Sequence, residues 1–300
     1  YNSFDSEEVA TAKISYMIMF DPDDVTSLGT DANKVCKTVY VGEPIIALAS
    51  QKQGDFDLRL GGKHGMRNAI DACTFGPKPG ETDGKYYLTL GGSKTTHSIT
   101  CDGKTVYDRE DADYMMLMQF DVSDWDQYAV PLSEIANASG PKEHDGLYYY
   151  YCGYRDYGVQ NLCYDPYTES YFASTYNHFY ASSPDGAHSP ASDRKFPNFV
   201  FFVIDATKAS EQTLVGCGGD KGLVLESKCG ITDAKSGTRG YHQGSFNVSG
   251  VGCGMMTVGD GYYYLGGTVE GAIGEVRLFE WDERALTDEN VSCIKKSERE

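Results

Sequence analysis

The chain has no apolar run that approaches the ~20 residues a helix needs to span a bilayer, so insertion into a membrane is not expected. It has no basic excess either: 44 acidic residues stand against 26 basic ones, a net charge of −18. Neither a phosphate backbone nor an anionic lipid surface would find a counter-charge here, which sets nucleic acid aside as a partner. Catalytic signatures are missing too. There is no G-x-S-x-G nucleophile turn, and His64, His97, His144, His178, His188 and His242 are scattered without partner spacing. Helical periodicity is nearly absent, the exceptions being VPLSEIANA near Leu132 and a turn around Thr287.

The chain opens at YNSFDSEEV with no Met, basic stretch or apolar leader, which reads as a mature or excised segment. Its nine cysteines, Cys36, Cys73, Cys101, Cys152, Cys163, Cys217, Cys229, Cys253 and Cys293, include no C-x-x-C pair and no zinc-type cluster. Disulfides are the favoured use. Sequons at Asn137, Asn247 and Asn290 agree with secretion and mark candidate glycosylation sites. An extracellular or cell-surface location follows as the expectation. The odd count leaves one thiol free or bonded to another chain, so a homo-oligomer or a disulfide-linked partner stays open.

What the chain does contain is strands. GDFDLRLGG alternates Phe56, Leu58 and Leu60 with Asp55, Asp57 and Arg59, the pattern of a half-buried strand. AKISYMIMFD is apolar at both phases and reads as a central strand, and PIIALAS reads as a strand that starts on Pro44. KYYLTLGG, THSITCDG, DYMMLMQFDVS, DGLYYYYCGY, NFVFFVIDA, QTLVGCGG, GLVLES, MMTVGDGYYYLGG and EVRLFEW follow at short intervals, most of them bounded by Gly, Asp or Ser. An all-β chain is expected. Residues 1–300 are read as one large antiparallel sandwich with a loop insertion near 176–197. The alternative is two tandem sandwiches with a boundary at about 140–195, because IIALASQKQGDFDLRLGGK and TLVGCGGDKGLVLESKCG share a strand, glycine-turn, strand layout.

Near the carboxyl end, GAIGEVRLFEWDERALTDENV, preceded by YYYLGG, resembles the closing segment of the laminin G-like and concanavalin A-like jelly-roll sandwiches, the lectin and glucanase type. At the amino side, AKISYMIMFDPDD and EPIIALASQKQGDFDLRLGG resemble that family's early strands. The resemblance implies an antiparallel β-sandwich, a concanavalin A-like jelly roll with long loops. By alternation, Val276 and Leu278 would face the core, with Glu275 and Arg277 on the other side, while Leu286 would plug the edge.

Calcium is the cofactor that the acidic loops favour, because hard cations need clustered oxygen ligands. FDPDD offers Asp21, Asp23 and Asp24, and DREDAD offers Asp108, Glu110, Asp111 and Asp113. The resemblance adds that laminin G-like modules often hold calcium at the sandwich rim. Among 23 tyrosines the densest run is LYYYYCGYRDYG, in which Tyr149 and Tyr151 share one strand face and Tyr148 and Tyr150 the other. Tyr149, Tyr151, Tyr154 and Arg155 form the candidate ligand-binding set, since phenol rings stack on sugars or anchor protein contacts. No Glu-x-Asp-x-x-Glu strand of a retaining glycosidase occurs. The leading expectation is a non-catalytic extracellular module that binds glycans or extracellular proteins. A structural subunit of a fibre, coat or surface assembly is the rival, and a glycoside hydrolase or lyase comes third.

Overall fold

The computed structural model describes residues 15–49, 67–95, 99–101, 104–106, 114–152, 159–175, 200–214, 221–228, 245–247, 254–267, 275–282 and 294–298. Its strands in chain order are β1 (Tyr16–Met19), β2 (Lys37–Tyr40), β3 (Arg67–Pro77), β4 (Tyr86–Thr95), β5 (Ile99–Cys101), β6 (Lys104–Val106), β7 (Tyr114–Phe120), β8 (Val130–Pro131), β9 (Gly146–Tyr151) and β10 (Val159–Asp165). They continue as β11 (Ser170–Thr175), β12 (Val200–Asp205), β13 (Ser210–Thr213), β14 (Lys221–Leu225), β15 (Ser245–Asn247), β16 (Gly254–Gly259), β17 (Tyr262–Gly267), β18 (Glu275–Trp281) and β19 (Ile294–Lys296). Among the described residues helix is confined to short pieces, and the chain is all-β as its patterning implies. No helix among the described residues is long and apolar enough to cross a membrane.

Two compact units divide the chain. The smaller comprises Tyr1–Asn68, Thr96–Tyr107 and Phe120–Asp145. Its three-stranded sheet runs β1-β2-β8, with Tyr16 opposite Tyr40 and Thr38 opposite Val130. Val39, Val41, Ile45, Phe120 and Trp125 are buried in this unit, and Phe120 meets Trp125 edge-on at 6.0 Å. Gly140 lies against the Tyr40 backbone so closely that an added Cβ would sit 1.6 Å from the Tyr40 carbonyl oxygen, so only glycine fits.

The larger unit, Ala69–Thr95, Asp108–Gln119 and Gly146–Glu300, is built around the sheet β10-β11-β12-β15. Register fixes which residue faces which way. On β11, Phe172 sits between Cys163 and Val203, and its neighbour Ala173 sits between Leu162 and Phe202. Alternation sends these two sets to opposite faces, and both faces are apolar. One face, with Leu162, Tyr171, Ala173, Phe202 and Ile204, packs on Met115, Leu117, Tyr148 and Tyr150 of the six-stranded sheet β13-β14-β9-β7-β4-β3. The other, with Cys163, Phe172, Phe201, Val203 and Phe246, packs on Met255, Tyr263, Leu265, Phe279 and Ile294 of the sheet β16-β17-β18-β19. The middle sheet is therefore dry on both sides, and full burial of each large side chain contributes roughly 1.5–3 kcal/mol.

Several expectations change. PIIALAS is not a strand: Gly42–Ala49 is an α-helix, and Pro44 falls in its first turn, where its missing N–H costs nothing. AKISYMIMFD gives an edge strand rather than a central one, with Ile18 and Phe20 more than half exposed. On β18 the phase is the reverse of that expected, since Val276 is 68% exposed whereas Phe279 is 4% exposed. The aromatic Phe279, seated in the apolar layer with Trp281 beside it, outweighs the smaller aliphatics and sets which side turns inward. One pair in the six-stranded sheet is parallel, β14 with β9. Cys36, Cys73 and Cys163 are free thiols, so the expected disulfide use does not hold at these three positions. GDFDLRLGG, the loop near 176–197, Leu286 and Thr287 lie outside the described residues.

Candidate functional site

Besides the tyrosine run, three sets of residues carry the chemistry that the structure makes visible. The first is the FDPDD stretch. Asp21 caps a 3-10 turn, Pro22–Asp24, its Oδ1 accepting from the Asp23 N–H at 3.0 Å. Asp21, Asp23 and Asp24 are all exposed. Among the described residues no group of three or more His, Cys, Asp or Glu is placed to hold a metal ion. Asp108, Glu110, Asp111 and Asp113 lie outside the described residues, as do Tyr154, Arg155 and Asn290. Of the other sequons, Asn247 ends β15, and Asn137 is exposed, its Nδ2 donating to Glu134 Oε2 at 3.1 Å.

The tyrosine run behaves as its alternation requires. Tyr148 and Tyr150 are 3% and 2% exposed and face the middle sheet, while Tyr149 and Tyr151 point the other way. That other face is not a bare platform. Tyr149 and Tyr151 are half-buried against Tyr114, Leu214 and Val224, with Tyr114 edge-on to both rings at 6.1 and 5.1 Å. Gly222 leaves room for this packing, because a Cβ there would come within 2.7 Å of the Tyr149 ring.

Buried polar groups form the second set, which patterning alone did not reveal. Asp165 closes the β10–β11 turn and is fully buried. Its carboxylate accepts from the Tyr167 N–H (3.3 Å), the Thr168 N–H and Oγ1 (3.0 and 2.7 Å), Thr257 Oγ1 (3.1 Å) and the Tyr263 hydroxyl (2.5 Å). Five donors on one carboxylate answer the desolvation that burial imposes. Thr257 and Tyr263 belong to β16 and β17, so this polar knot ties the middle sheet to the one beside it. The Tyr263 phenol is held well above its usual range by burial first and by its bond to Asp165 second. Across the other layer, Gln119 donates to Pro77 O and Thr89 Oγ1, both at 2.9 Å, and lies 3.0 Å from the Tyr171 hydroxyl, which itself donates to Pro77 O at 2.6 Å. Both clusters are architectural: the Asp165 carboxylate is satisfied by its donors, whereas Gln119 donates through Nε2 and its buried Oε1 has no hydrogen-bond partner among the described residues.

The third set is the outer face of the β16–β19 sheet. Register places Met256 opposite Tyr264, and Tyr264 opposite Leu278. Val276, two residues before Leu278, shares that side. Met256, Val258, Tyr264 and Val276 are 55%, 46%, 39% and 68% exposed. The inner side of the same sheet carries Met255, Tyr263, Leu265 and Phe279, all buried. A tight Gly259-Asp260-Gly261 turn, all three at positive φ, joins β16 to β17 and keeps their faces in register. Glu280 and Lys295, paired at 2.8 Å, neutralise each other at one margin of the face. The signal was present in the sequence, since MMTV, YYYL and EVRLFEW carry apolar residues at both phases.

No family model, no curated protein and no solved structure matches the chain.

Proposed function

We propose that this is a non-catalytic extracellular recognition module, of the laminin G-like and concanavalin A-like jelly-roll lineage, that docks a basic extracellular protein on the outer face of the β16–β19 sheet. The exposed row of Met256, Val258, Tyr264 and Val276 carries the reading, because a sheet that already buries one full apolar face gains nothing in folding from a second one left in water. A patch of this kind covers on the order of 300–600 Å². A stable interface between two copies needs about 800 Å² per partner, so the area fits a weak or transient contact better than a permanent dimer. The net charge of −18 favours a partner of opposite sign and would slow the approach of a second copy. Aliphatic side chains outnumber aromatic ones here, which favours a protein over a sugar ring.

Secretion enters the reading through the sequons, with Asn137 exposed and accessible to a glycan. Calcium enters only through the exposed Asp21, Asp23 and Asp24, and a melting temperature unmoved by calcium or by chelation removes it.

The test compares wild type with Val276→Glu and Met256→Glu against purified basic extracellular proteins, on a glycan array and by native mass. Binding to a protein that weakens with salt and is lost in both variants is expected. Glycan binding that survives both substitutions contradicts the assignment, and a native dimer that the substitutions dissociate replaces it with the fibre or coat reading.

A further inference from the structure

In the larger unit, three tyrosines from three strands stand in contact from the surface inward. Tyr86 on β4 is 49% exposed and lies edge-on to Tyr164 of β10, ring centroids 5.6 Å apart. Tyr164 is half-buried and in turn meets Tyr171 of β11 at 5.3 Å, and Tyr171 is fully buried. We propose that Tyr171, Tyr164 and Tyr86 form a relay for oxidising equivalents that ends at Tyr86, and that Tyr86 is the site at which two copies of the chain become joined by oxidative dityrosine coupling. This goes beyond the recognition reading and rests on no part of it.

The direction of the relay follows from where a proton can leave. A phenol that loses an electron becomes strongly acidic and is stabilised only if its proton departs. Tyr171 donates its hydroxyl to the backbone carbonyl of Pro77 at 2.6 Å, and a carbonyl oxygen accepts that hydrogen bond without taking the proton. Burial opposes the charged form of Tyr164, holding its phenol up to about 12, and does the same more strongly at Tyr171. Of the three, Tyr86 is the most exposed to water, Tyr164 only partly so and Tyr171 not at all. An electron lost from either inner ring is therefore replaced from Tyr86, whose proton passes to solvent.

The chemistry balances with a haem peroxidase and hydrogen peroxide as oxidant. Each of two Tyr86 phenols gives up one electron and one proton, and the two neutral radicals join through a carbon–carbon bond between ring positions ortho to the hydroxyls. The hydrogens on those carbons move to the oxygens as the rings regain aromaticity. One hydrogen peroxide takes up the two electrons and two protons and leaves as two waters. Tyr167 and Tyr264 are exposed to a similar degree, 56% and 39%, yet neither stacks on a further ring among the described residues.

The experiment treats the full chain with a haem peroxidase and hydrogen peroxide, follows dityrosine fluorescence and covalent dimer on a reducing gel, and maps the linked peptide by mass spectrometry. Linkage through Tyr86 is expected, with dimer yield falling several-fold in Tyr86→Phe and little in Tyr167→Phe or Tyr264→Phe. Tyr164→Phe, which keeps the ring packing and removes the phenol, is expected to lower the yield at an intact Tyr86. Cross-links mapped mainly to other tyrosines, or an undiminished dimer in Tyr86→Phe, overturn the assignment of the site. An unchanged yield in Tyr164→Phe overturns the relay.

Discussion

The sheet β10-β11-β12-β15 and the sheet β16-β17-β18-β19 share an apolar layer but live under different rules. In the first, both faces are buried, so every position of Ser170–Thr175 is inaccessible and even its polar residues must find partners inside. In the second, only one face is buried, and the apolar residues on the other remain in water. The first sheet is fixed by the fold on every side. The second is fixed on one side only, which leaves its outer side free to serve a partner.

That contrast orders the expected effects of substitution. The largest belongs to the middle sheet: Phe202→Ala or Phe172→Ala, each fully buried, is expected to cost about 3–5 kcal/mol in a urea unfolding titration. Comparable stability to wild type at either position would mean the layers are not packed as described. Next comes the polar knot between the sheets. Tyr263→Phe removes the hydroxyl that bonds Asp165 and is expected to cost about 1–3 kcal/mol, read from the same titration. A neutral result would show that the carboxylate does not depend on that donor.

A smaller, pH-dependent difference sharpens the comparison further. Burial holds the Cys163 thiol up to about 12 from 9.0, and Tyr148 and Tyr164, likewise chiefly through burial, up to about 12 from 10.0. In each case the fold favours the neutral form. Once the pH passes 9.0 for the thiol and 10.0 for the phenols, the unfolded chain releases protons that the folded chain keeps, so stability present below those values is lost on rising toward about 12. Cys163→Ser is expected to shift the onset of this loss from the thiol's window to the phenols'. An onset unchanged by the substitution would place the thiol outside the apolar layer.

The sequence made some of this legible and hid the rest for identifiable reasons. The division of Tyr148 and Tyr150 from Tyr149 and Tyr151 was readable because a strand alternates strictly, and the all-β character was readable from turn-bounded apolar runs. The strands VQNLCYD and SYFAST did not stand out, although they form half of the driest sheet, because Asn161, Ser170, Ser174 and Thr175 dilute their hydrophobicity. Their polar groups are tolerated because they are bonded internally, as Thr175 Oγ1 is to the backbone of Val200, and only tertiary structure supplies such partners. The helix at Pro44 was hidden because a short apolar run does not reveal its period. Most instructive is β18. EVRLFEW is apolar at both phases, so alternation alone leaves two answers, and neighbouring Tyr263 and Phe172 decide which face turns in. Of the candidate site, the acidic turn at Asp21 was visible as a motif, but its role as a cap was not, and the exposed face was overlooked because Val276 and Leu278 were assigned to the core and Met256, Val258 and Tyr264 to neither side.

The most direct test of a two-sided outer sheet lies within one strand. Phe279→Ala and Val276→Ala, three positions apart on β18, are compared by equilibrium unfolding. The structure predicts a loss of about 3–5 kcal/mol for Phe279→Ala and a change within about 0.5 kcal/mol for Val276→Ala. A loss at Val276 equal to or greater than that at Phe279 would contradict it, because it would put the face assigned to a partner inside the core.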